Sequence, residues 1–589
     1  MPDQYRTEER TLSGQDTSNP NCLLALAKYH LTRRRDGDDT APKTLSKRSY
    51  SKSNGVDGRG GKSSVHRALF VPEIVRLIFG FVQAWDEENP AGECIGFVTA
   101  TGGKRSLAYL ARTCRFFHEP AIDALWTNLE SIDPLIKLLP RRMWGKKRCP
   151  LLVRRFMRKK HWEIFQKYAS RVKTLRGPSY GLSTATQHTV MAAIASHPKA
   201  TRPLFPQLTE IVWREIRMFH RTEPCVSLLK YFMGPSVTQI TLKLNCWPYH
   251  ITSEMDVLAE MSKLCPNVVS FAAQFPPSSH SDPFEEVGDI VSNWKKLRAL
   301  HSCALPQSVM DQLISRNTLE SLAIELNNSI YPPYSGRLPE SLHTFSLGGS
   351  SAIVCTRYLK NVHASPTSLT MRIGADDSTI EDVAELFRIL PDHFSNTTVQ
   401  TFSSELTSSY WMSRSTESFR LDLAVLQPIL VFTSLRTVDL SFFSTAGLDD
   451  DACTTMARSW PVLESLELGT ADILMERPVA TVRGLMAFLV HCPCLTNLAM
   501  VFDGTCRIPD ASDIPSGVVN TRIKQINVAH SPLKDVNAMA TCLGTLMPCL
   551  KKVDIVQIGR EDDGEPEGRW DEVQKMLTCS LRSQGINTD

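Results

Sequence analysis

The sequence lacks an apolar run of the roughly 20 residues that a bilayer-spanning helix needs. Its first residues, Met1-Pro2-Asp3-Gln4, carry an acid and no apolar run, so we expect no secretory signal. Residues 23–27 form only a short apolar patch. We therefore expect a cytoplasmic or nuclear protein without contact to a membrane, and its 16 cysteines should be reduced thiols.

The sequence also lacks the patterns of a metal or catalytic site. Cys492 and Cys494 form a lone CxC pair, whereas a zinc site needs two ligand pairs at suitable spacing. The 15 histidines are dispersed, and no nucleophile elbow, HExxH motif, dinucleotide loop or matched carboxylate pair is present. Two acidic runs, residues 449–451 and 561–563, are interpreted as solvated loops. We predict a protein that is not an enzyme and needs no cofactor.

A strong excess of either charge is absent as well, since the formal net charge is +4. The exception is the basic stretch 141–160, which is interleaved with aromatic residues. Such a stretch could meet phosphates and bases, or serve as a nuclear-import signal. A helix whose aromatic side chains pack inward while its cations face water explains it better. We therefore do not expect nucleic acid as a partner.

What is present begins with three predicted helices after a polar tail. Residues 1–65 are too poor in apolar side chains to fold alone and are predicted to be disordered. In the first helix, Pro72 occupies the first turn, where its missing N–H costs nothing, and Glu73 favours the positive end of the helix dipole. The helices are predicted over residues 68–82 and 106–117 and from Glu119 onward, with a polar insert at 86–105. Their large apolar faces cannot form a self-sufficient core, so we expect a docking module.

These helices resemble the F-box, in particular the divergent form found in fungi. A Pro-led helix ends in Ile-Phe, the second helix reads Leu-x-x-Leu-Ala-x-x-Cys-Arg-x-aromatic, and the third reads Ala-x-Asp-x-Leu-Trp. The matching residues are Val71, Pro72, Ile78 and Phe79; Leu107, Leu110, Cys114, Arg115 and Phe117; and Leu125 with Trp126. In this sequence Val71 replaces the usual Leu before Pro, and the insert after the first helix is long. The alternative is a generic helical cap on the following domain.

F-box proteins hold these helices in a groove of the Skp1 adaptor, which tethers them to a cullin–RING ubiquitin ligase. The resemblance therefore implies a Skp1-like adaptor and a cullin as partners. It places the adaptor contacts at Pro72, Ile78, Phe79, Leu110 and Cys114.

After about residue 200 the phrase Leu-x-x-Leu-x-Leu recurs about thirteen times at roughly 22–36-residue spacing, which is the range of leucine-rich repeats. Clear copies begin at Leu319, Leu435, Leu463 and Leu495. The first, fourth and sixth positions should point inward from a short strand, and Cys-Pro or Trp-Pro pairs should end the intervening helices. A doubly wound α/β domain also alternates strand and helix, but the repeated units favour a solenoid.

The sequence thus predicts an α/β solenoid, an irregular leucine-rich-repeat array preceded by a small all-α F-box-like helical module and a disordered N-terminal tail. The predicted segments are a tail at 1–65, the F-box-like module at 66–140, a basic helical linker at 141–200 and the solenoid at 201–589. We expect a substrate-recognition adaptor of an SCF-type cullin–RING E3 ubiquitin ligase, with an unknown protein substrate on the concave face of the repeats. Candidate substrate contacts are Glu320, Glu464, Thr496 and Lys551. The alternative is a leucine-rich-repeat interaction scaffold without ligase activity.

Overall fold

The computed structural model describes most of the chain in two units. The described residues are 71–84, 102–145, 157–177, 181–200, 202–214, 226–244, 251–275, 284–326, 334–407, 419–471, 476–510, 514, 518–555 and 567–583. The first unit is Met1–Thr241 with Thr252–Val257, and the second is Leu242–Ile251 with Leu258–Asp589. The predicted disordered tail and the acidic run 561–563 lie outside the described residues.

The first unit begins with the three expected helices, α1 Pro72–Ala84, α2 Gly102–Thr113 and α3 Arg115–Thr127. The boundary between α2 and α3 differs from the prediction. Cys114 is extended (φ −150°, ψ 162°) and its thiol accepts a hydrogen bond from the Phe117 N–H, so it caps α3. The residues after Cys114 therefore start the third helix rather than ending the second.

The three helices share a small apolar core. Val75 and Phe79 face inward from α1, and Leu107 and Ala111 face inward from α2. Phe79 meets Phe117 edge to face, with ring centroids 5.6 Å apart. The core is completed by Ala121, Ile122, Leu125 and Trp126 of α3.

Short strands and helices alternate in the rest of the first unit. They are β1 Asn128–Leu129, α4 Asp133–Lys137, a 3-10 helix at Arg141–Met143, α5 Lys159–Ala169, β2 Thr174–Gly177, α6 Thr184–Ala195, β3 Glu210–Arg214 and a 3-10 helix at Val226–Tyr231. β1, β2 and β3 pair in parallel through Leu129, Leu175 and Ile211. Parallel pairing thus begins upstream of residue 201, where the sequence places the first repeat. The sequence does not reveal this earlier copy, because Val172 and Leu175 fill its first and fourth positions but Gly177 stands in the sixth.

The last two residues of the basic stretch begin α5, an amphipathic helix of the kind that we expected, which continues to Ala169. Trp162, Phe165 and Tyr168 of α5 are buried, whereas Lys159 and Lys160 are exposed. These three rings are therefore not available to stack on bases.

The second unit is a parallel α/β repeat. β4 Gln239–Lys243 and α7 Ile251–Leu264 contribute residues to both units. The strands that follow are β5 Ser270–Gln274, β6 Ala299–Cys303, β7 Ser321–Leu326, β8 Gly336–Arg337, β9 Thr344–Gly349, β10 Val362–His363, β11 Ser368–Gly374, β12 Thr401–Thr407, β13 Thr437–Leu440, β14 Ser465–Leu468, β15 Asn497–Met500, β16 Gln525–Asn527 and β17 Lys552–Asp554. The helices are α8 Phe284–Ser292, α9 Gln307–Ser315, α10 Ala352–Leu359, α11 Ile380–His393, α12 Leu423–Leu426, a 3-10 helix at Ile429–Val431, α13 Asp450–Ser459, α14 Val482–His491, α15 Val536–Leu546 and α16 Glu567–Ser583.

The strand order excludes the doubly wound alternative for the described residues. From β5 to β17 the strands of the main sheet follow the order of the chain without reversal, and β8 with β10 forms a separate two-stranded sheet. A doubly wound sheet reverses its strand order at a switch point. The repeated α/β architecture that the sequence predicts is therefore present.

One backbone pattern sets the register of successive strands. Two backbone N–H groups at the start of each strand, one from the residue just before it and one from its first residue, donate to the same carbonyl. That carbonyl belongs to the residue just before the preceding strand. His343 N–H and Thr344 N–H donate in this way to the Glu320 carbonyl, at 2.8 and 3.1 Å. The same register buries Leu463, Leu466 and Leu468, the first, fourth and sixth positions of a predicted copy. Their inward orientation is confirmed.

The predicted helix stops are present too. α13 ends at Ser459 and α14 ends at His491, each followed by a buried residue and then proline. The buried residues, Trp460 and Cys492, fill the space between successive repeats, where the Cys492 thiol donates to the Trp460 carbonyl at 3.4 Å.

The interpretation of residues 449–451 as a solvated loop was wrong. Asp449 caps α13 by accepting from the Ala452 N–H at 2.8 Å. Asp450 accepts from the N–H groups of Thr481 and Gly484 at 2.7 and 2.9 Å, at the start of α14. The free N–H groups at a helix N-terminus attract a carboxylate, so Asp450 ties one repeat to the next.

Candidate functional site

α1 presents apolar side chains on two sides. Its inner side carries the buried Val75 and Phe79. On its other side Leu77 is 65% exposed, Ile78 is 38% exposed and Phe81 is 73% exposed. We call the exposed apolar set, Val71, Ile74, Leu77, Ile78 and Phe81, the α1 outer face.

The outer face is continuous along the helix. At about 100° per residue, positions 74, 77, 78 and 81 fall within an arc of about 100°. Exposed apolar side chains that line up on one helix face mark an interaction surface more often than scattered ones do. Burial of Leu77 or Phe81 against a partner would contribute up to about 1.5–3 kcal/mol, and burial of the less exposed members would contribute less. This face can therefore bind in an apolar groove of another protein.

The structure separates the predicted adaptor contacts on α1. Ile78 belongs to the outer face. Phe79 is 4% exposed and supports α1 from within the module. Pro72 is exposed, but it lies nine residues before Phe81 and hence on about the opposite side of the helix.

The two predicted contacts outside α1 lie on α2 and at its end. Leu110 is half-buried, and Cys114 is exposed while its thiol caps α3. Their contact with an adaptor, like that of the three α1 residues, stays a prediction.

A second surface lies on the main sheet of the second unit. Along each strand, residues that alternate with the buried ones point away from the core, as Ser368, Thr370 and Arg372 do on β11. We call this side the open face. Small hydroxyl side chains dominate its first row, which includes Ser270, Ser321, Thr344, Ser368, Thr401, Thr437 and Ser465.

An ion-pair cluster crosses this open face. Glu325 on β7 contacts His301 Nε2 on β6 at 3.0 Å and pairs with Arg372 on β11. Gly348 on β9 lies between them, where a side chain would collide with the Glu325 carboxylate. The cluster in this arrangement therefore requires a residue without a side chain at position 348.

Carboxylates gather on the next strands of the same face. Asp439 on β13 and Glu467 on β14 are direct neighbours in the register. Burial, with the nearby Asp439 charge, raises the pKa of the Glu467 carboxyl, although a hydrogen bond with Asn497 lowers it. The open face can thus accept hydrogen bonds over several repeats.

The four candidate substrate contacts lie beside the open face, immediately before their strands. Glu320 accepts from Arg298 at 3.0 Å, Glu464 pairs with Arg436, and Thr496 donates to the Glu464 carbonyl at 3.0 Å. Lys551 takes part in the backbone register through its N–H, which donates to Lys524.

Among the described residues, no group of three or more His, Cys, Asp or Glu side chains is arranged to hold a metal ion. None of the helices in the described ranges has the length and apolarity to cross a membrane.

No family model matches this chain. No curated protein matches it either. Among solved structures, it is similar to a chain in the crystal structure of the Rad7 and Elc1 complex in yeast. The two are 11% identical with a TM-score of 0.33, and the match covers 84% of this chain and 91% of that chain.

Of the exposed apolar and aromatic residues of the helical module, the three most exposed were not among the predicted contacts. Leu77 and Phe81 lie on α1, and Tyr109 on α2 is 66% exposed. The signal for the α1 pair was in the sequence, since residues 74, 77, 78 and 81 repeat at helical spacing. The F-box motif instead predicted contacts at Ile78 and Phe79, of which one is exposed and the other is buried.

Proposed function

We propose that this chain is a substrate-recognition adaptor of an SCF-type cullin–RING E3 ubiquitin ligase. In this proposal the α1 outer face docks on a Skp1-like adaptor, and a cullin joins through it. The repeat unit binds a target protein. The chain itself catalyses no step. It acts by holding the target near the ubiquitin-conjugating enzyme, which raises the effective concentration of the two proteins.

The α1 outer face is the observation that carries this proposal. A module whose core is already filled by Phe79, Phe117 and Trp126 still exposes four apolar residues of α1, and Val71 just before it. Such a surface costs solubility unless a partner covers it. The F-box resemblance of the same helices supplies the class of partner.

The open face supports the second half of the proposal. Its hydroxyl rows and its carboxylates extend over consecutive strands and offer many hydrogen-bond acceptors. Repeat proteins use surfaces of this extent to bind other proteins.

Co-purification with Skp1 from the host tests the proposal. We compare the native chain with Phe81→Asp, which places a charge in the α1 outer face, and with Arg76→Asp as the matched control. Arg76 is also exposed on α1 but lies off that face. Skp1 and cullin should be recovered with the native chain and the control and lost with Phe81→Asp, while circular dichroism stays unchanged.

The other outcomes are equally informative. Retention of Skp1 by Phe81→Asp would show that docking does not use the outer face. Absence of Skp1 from the folded native chain would leave the alternative, a leucine-rich-repeat interaction scaffold without ligase activity.

A further inference from the structure

We propose that residues 23–31 of this same chain cover the α1 outer face in the free protein, and that a partner must displace them to dock. The regulatory meaning of this contact rests on the proposed function. The contact itself depends only on the outer face and on the sequence of the N-terminal segment.

The proposed occupant stands out within a polar tail. Residues 1–65 contain six leucines, and Leu23, Leu24, Leu26 and Leu31 are four of them. At about 100° per residue these four positions fall within an arc of about 160°. Their spacing therefore suits a helix that buries one apolar side, and the α1 outer face offers the complementary apolar stripe.

The tether brings the two together. The outer face begins at Val71, and the tail is joined directly to that end of α1. About 40 residues separate Leu31 from Val71, and an unstructured chain of that length would have a root-mean-square span of about 35 Å. α1 itself is about 20 Å long. The tail can therefore reach the whole face without strain.

The tether also makes a weak contact sufficient. Flexible linkers of this kind give effective concentrations on the order of 1 mM. A contact with an intrinsic dissociation constant of about 0.1 mM would then be closed about 90% of the time. Burial of two or three leucine side chains supplies free energy of this order after ordering costs. Such a contact keeps the outer face covered yet yields to a tighter partner.

A photo-cross-link in the full chain tests the contact without any adaptor. Phe81→p-benzoylphenylalanine places the reactive group in the outer face, and mass spectrometry locates the product. We expect a cross-link to residues 23–31, formed within one chain when heavy and light isotope-labelled proteins are mixed. Leu24→Ser with Leu31→Ser should abolish it, whereas Leu12→Ser with Leu45→Ser, a matched pair of tail leucines outside the segment, should not.

The cross-link also identifies the rival occupants. Products that join heavy to light chains would assign the face to a second copy and overturn the proposal. Absence of any product at residues 23–31 would overturn it as well.

Titration with purified Skp1 tests the regulatory meaning. If the face is open only about a tenth of the time, Leu24→Ser with Leu31→Ser should bind Skp1 about tenfold more tightly than the native chain. Equal affinities together with a missing cross-link would overturn the tail contact and leave the adaptor function standing. A cross-link at residues 23–31 with no Skp1 binding by either protein would retain the contact and end the adaptor function.

Discussion

Glu325 on β7 pairs with Arg372 on β11 across the intervening strand β9, because Gly348 between them has no side chain. His301 joins the same carboxylate from β6. Three strands, β6, β7 and β11, are thereby linked through their side chains on the open face, in addition to their backbone register. Both charged side chains are mostly shielded from water, so the pair should couple more strongly than an exposed pair does.

A double-mutant cycle measures this coupling. We expect Glu325→Gln and Arg372→Gln each to lower the free energy of unfolding of the repeat unit, and the double variant to lose less than their sum. The coupling should be about 1 kcal/mol and should shrink at high salt. The exposed pair Arg298–Glu320 serves as a control with a smaller coupling. Additive effects in the Glu325 cycle would mean that the pair contributes nothing to stability.

Phe79 and Phe81 provide a matched test of the two sides of α1. Phe79→Ala removes a ring from the module core and should lower its free energy of unfolding by about 3–5 kcal/mol. Phe81→Ala removes an exposed ring and should change it by no more than about 0.5 kcal/mol. Hydrogen exchange of the α2 amides measures both values. Equal losses would show that the two rings do not lie on different sides of the helix.

The repeat array could be predicted from the sequence because its physics is local and periodic. Leu466 and Leu468 alternate with polar residues inside one short strand, and the preceding Leu463 completes a phrase that recurs along the chain. Such a phrase has one way to bury its apolar residues, and the observed strands bury them in that way. The parallel α/β repeat follows from this pattern.

The side of a helix that a partner meets is harder to predict. Ile78 and Phe79 are adjacent and both apolar, yet one is exposed and the other is buried. The difference is decided by Phe117 on another helix, which packs against Phe79. The pairing of Glu325 with Arg372 and the role of Asp450 were hidden for the same reason, because each depends on a partner from another repeat.

Asp450 is expected to stabilise the junction between two repeats. Asp450→Ala removes the Asp450 acceptor of the Thr481 N–H and leaves the Gly484 N–H only the Thr481 carbonyl. We expect a loss of about 1–3 kcal/mol in the free energy of unfolding. Asp451→Ala, at the exposed neighbouring position, should cost only about 0.5 kcal/mol through the helix dipole. Denaturant unfolding compares the two variants. A similar cost for both would contradict the role of Asp450, and Asp450→Asn should recover part of the loss.

His393 should make the repeat unit less stable in mild acid. Burial lowers the pKa of its imidazole, and the His363 ring stacked beside it at 5.0 Å acts in the same direction, although the Nδ1 hydrogen bond to the Val362 carbonyl raises that pKa. The unfolded chain therefore takes up the proton first, at a pKa of about 6.5. The stabilising contribution is complete above that pH and is lost as the pH falls from there through the lower folded-state pKa.

The expected loss is well below the roughly 1.4 kcal/mol per pH unit that one full proton would give, because the ring is only half-buried. His393→Gln can keep a donor for the Val362 carbonyl but cannot take up a proton, so its unfolding free energy should vary less between pH 7 and pH 5 than that of the native chain. His343→Gln, at an exposed position, should keep the native dependence. Denaturant titrations at a series of pH values compare the three proteins. If the unfolding free energy of His393→Gln depended on pH as that of the native chain does, other groups would cause the acid sensitivity. The two-stranded sheet of β8 and β10 would then tolerate a charged ring at this position.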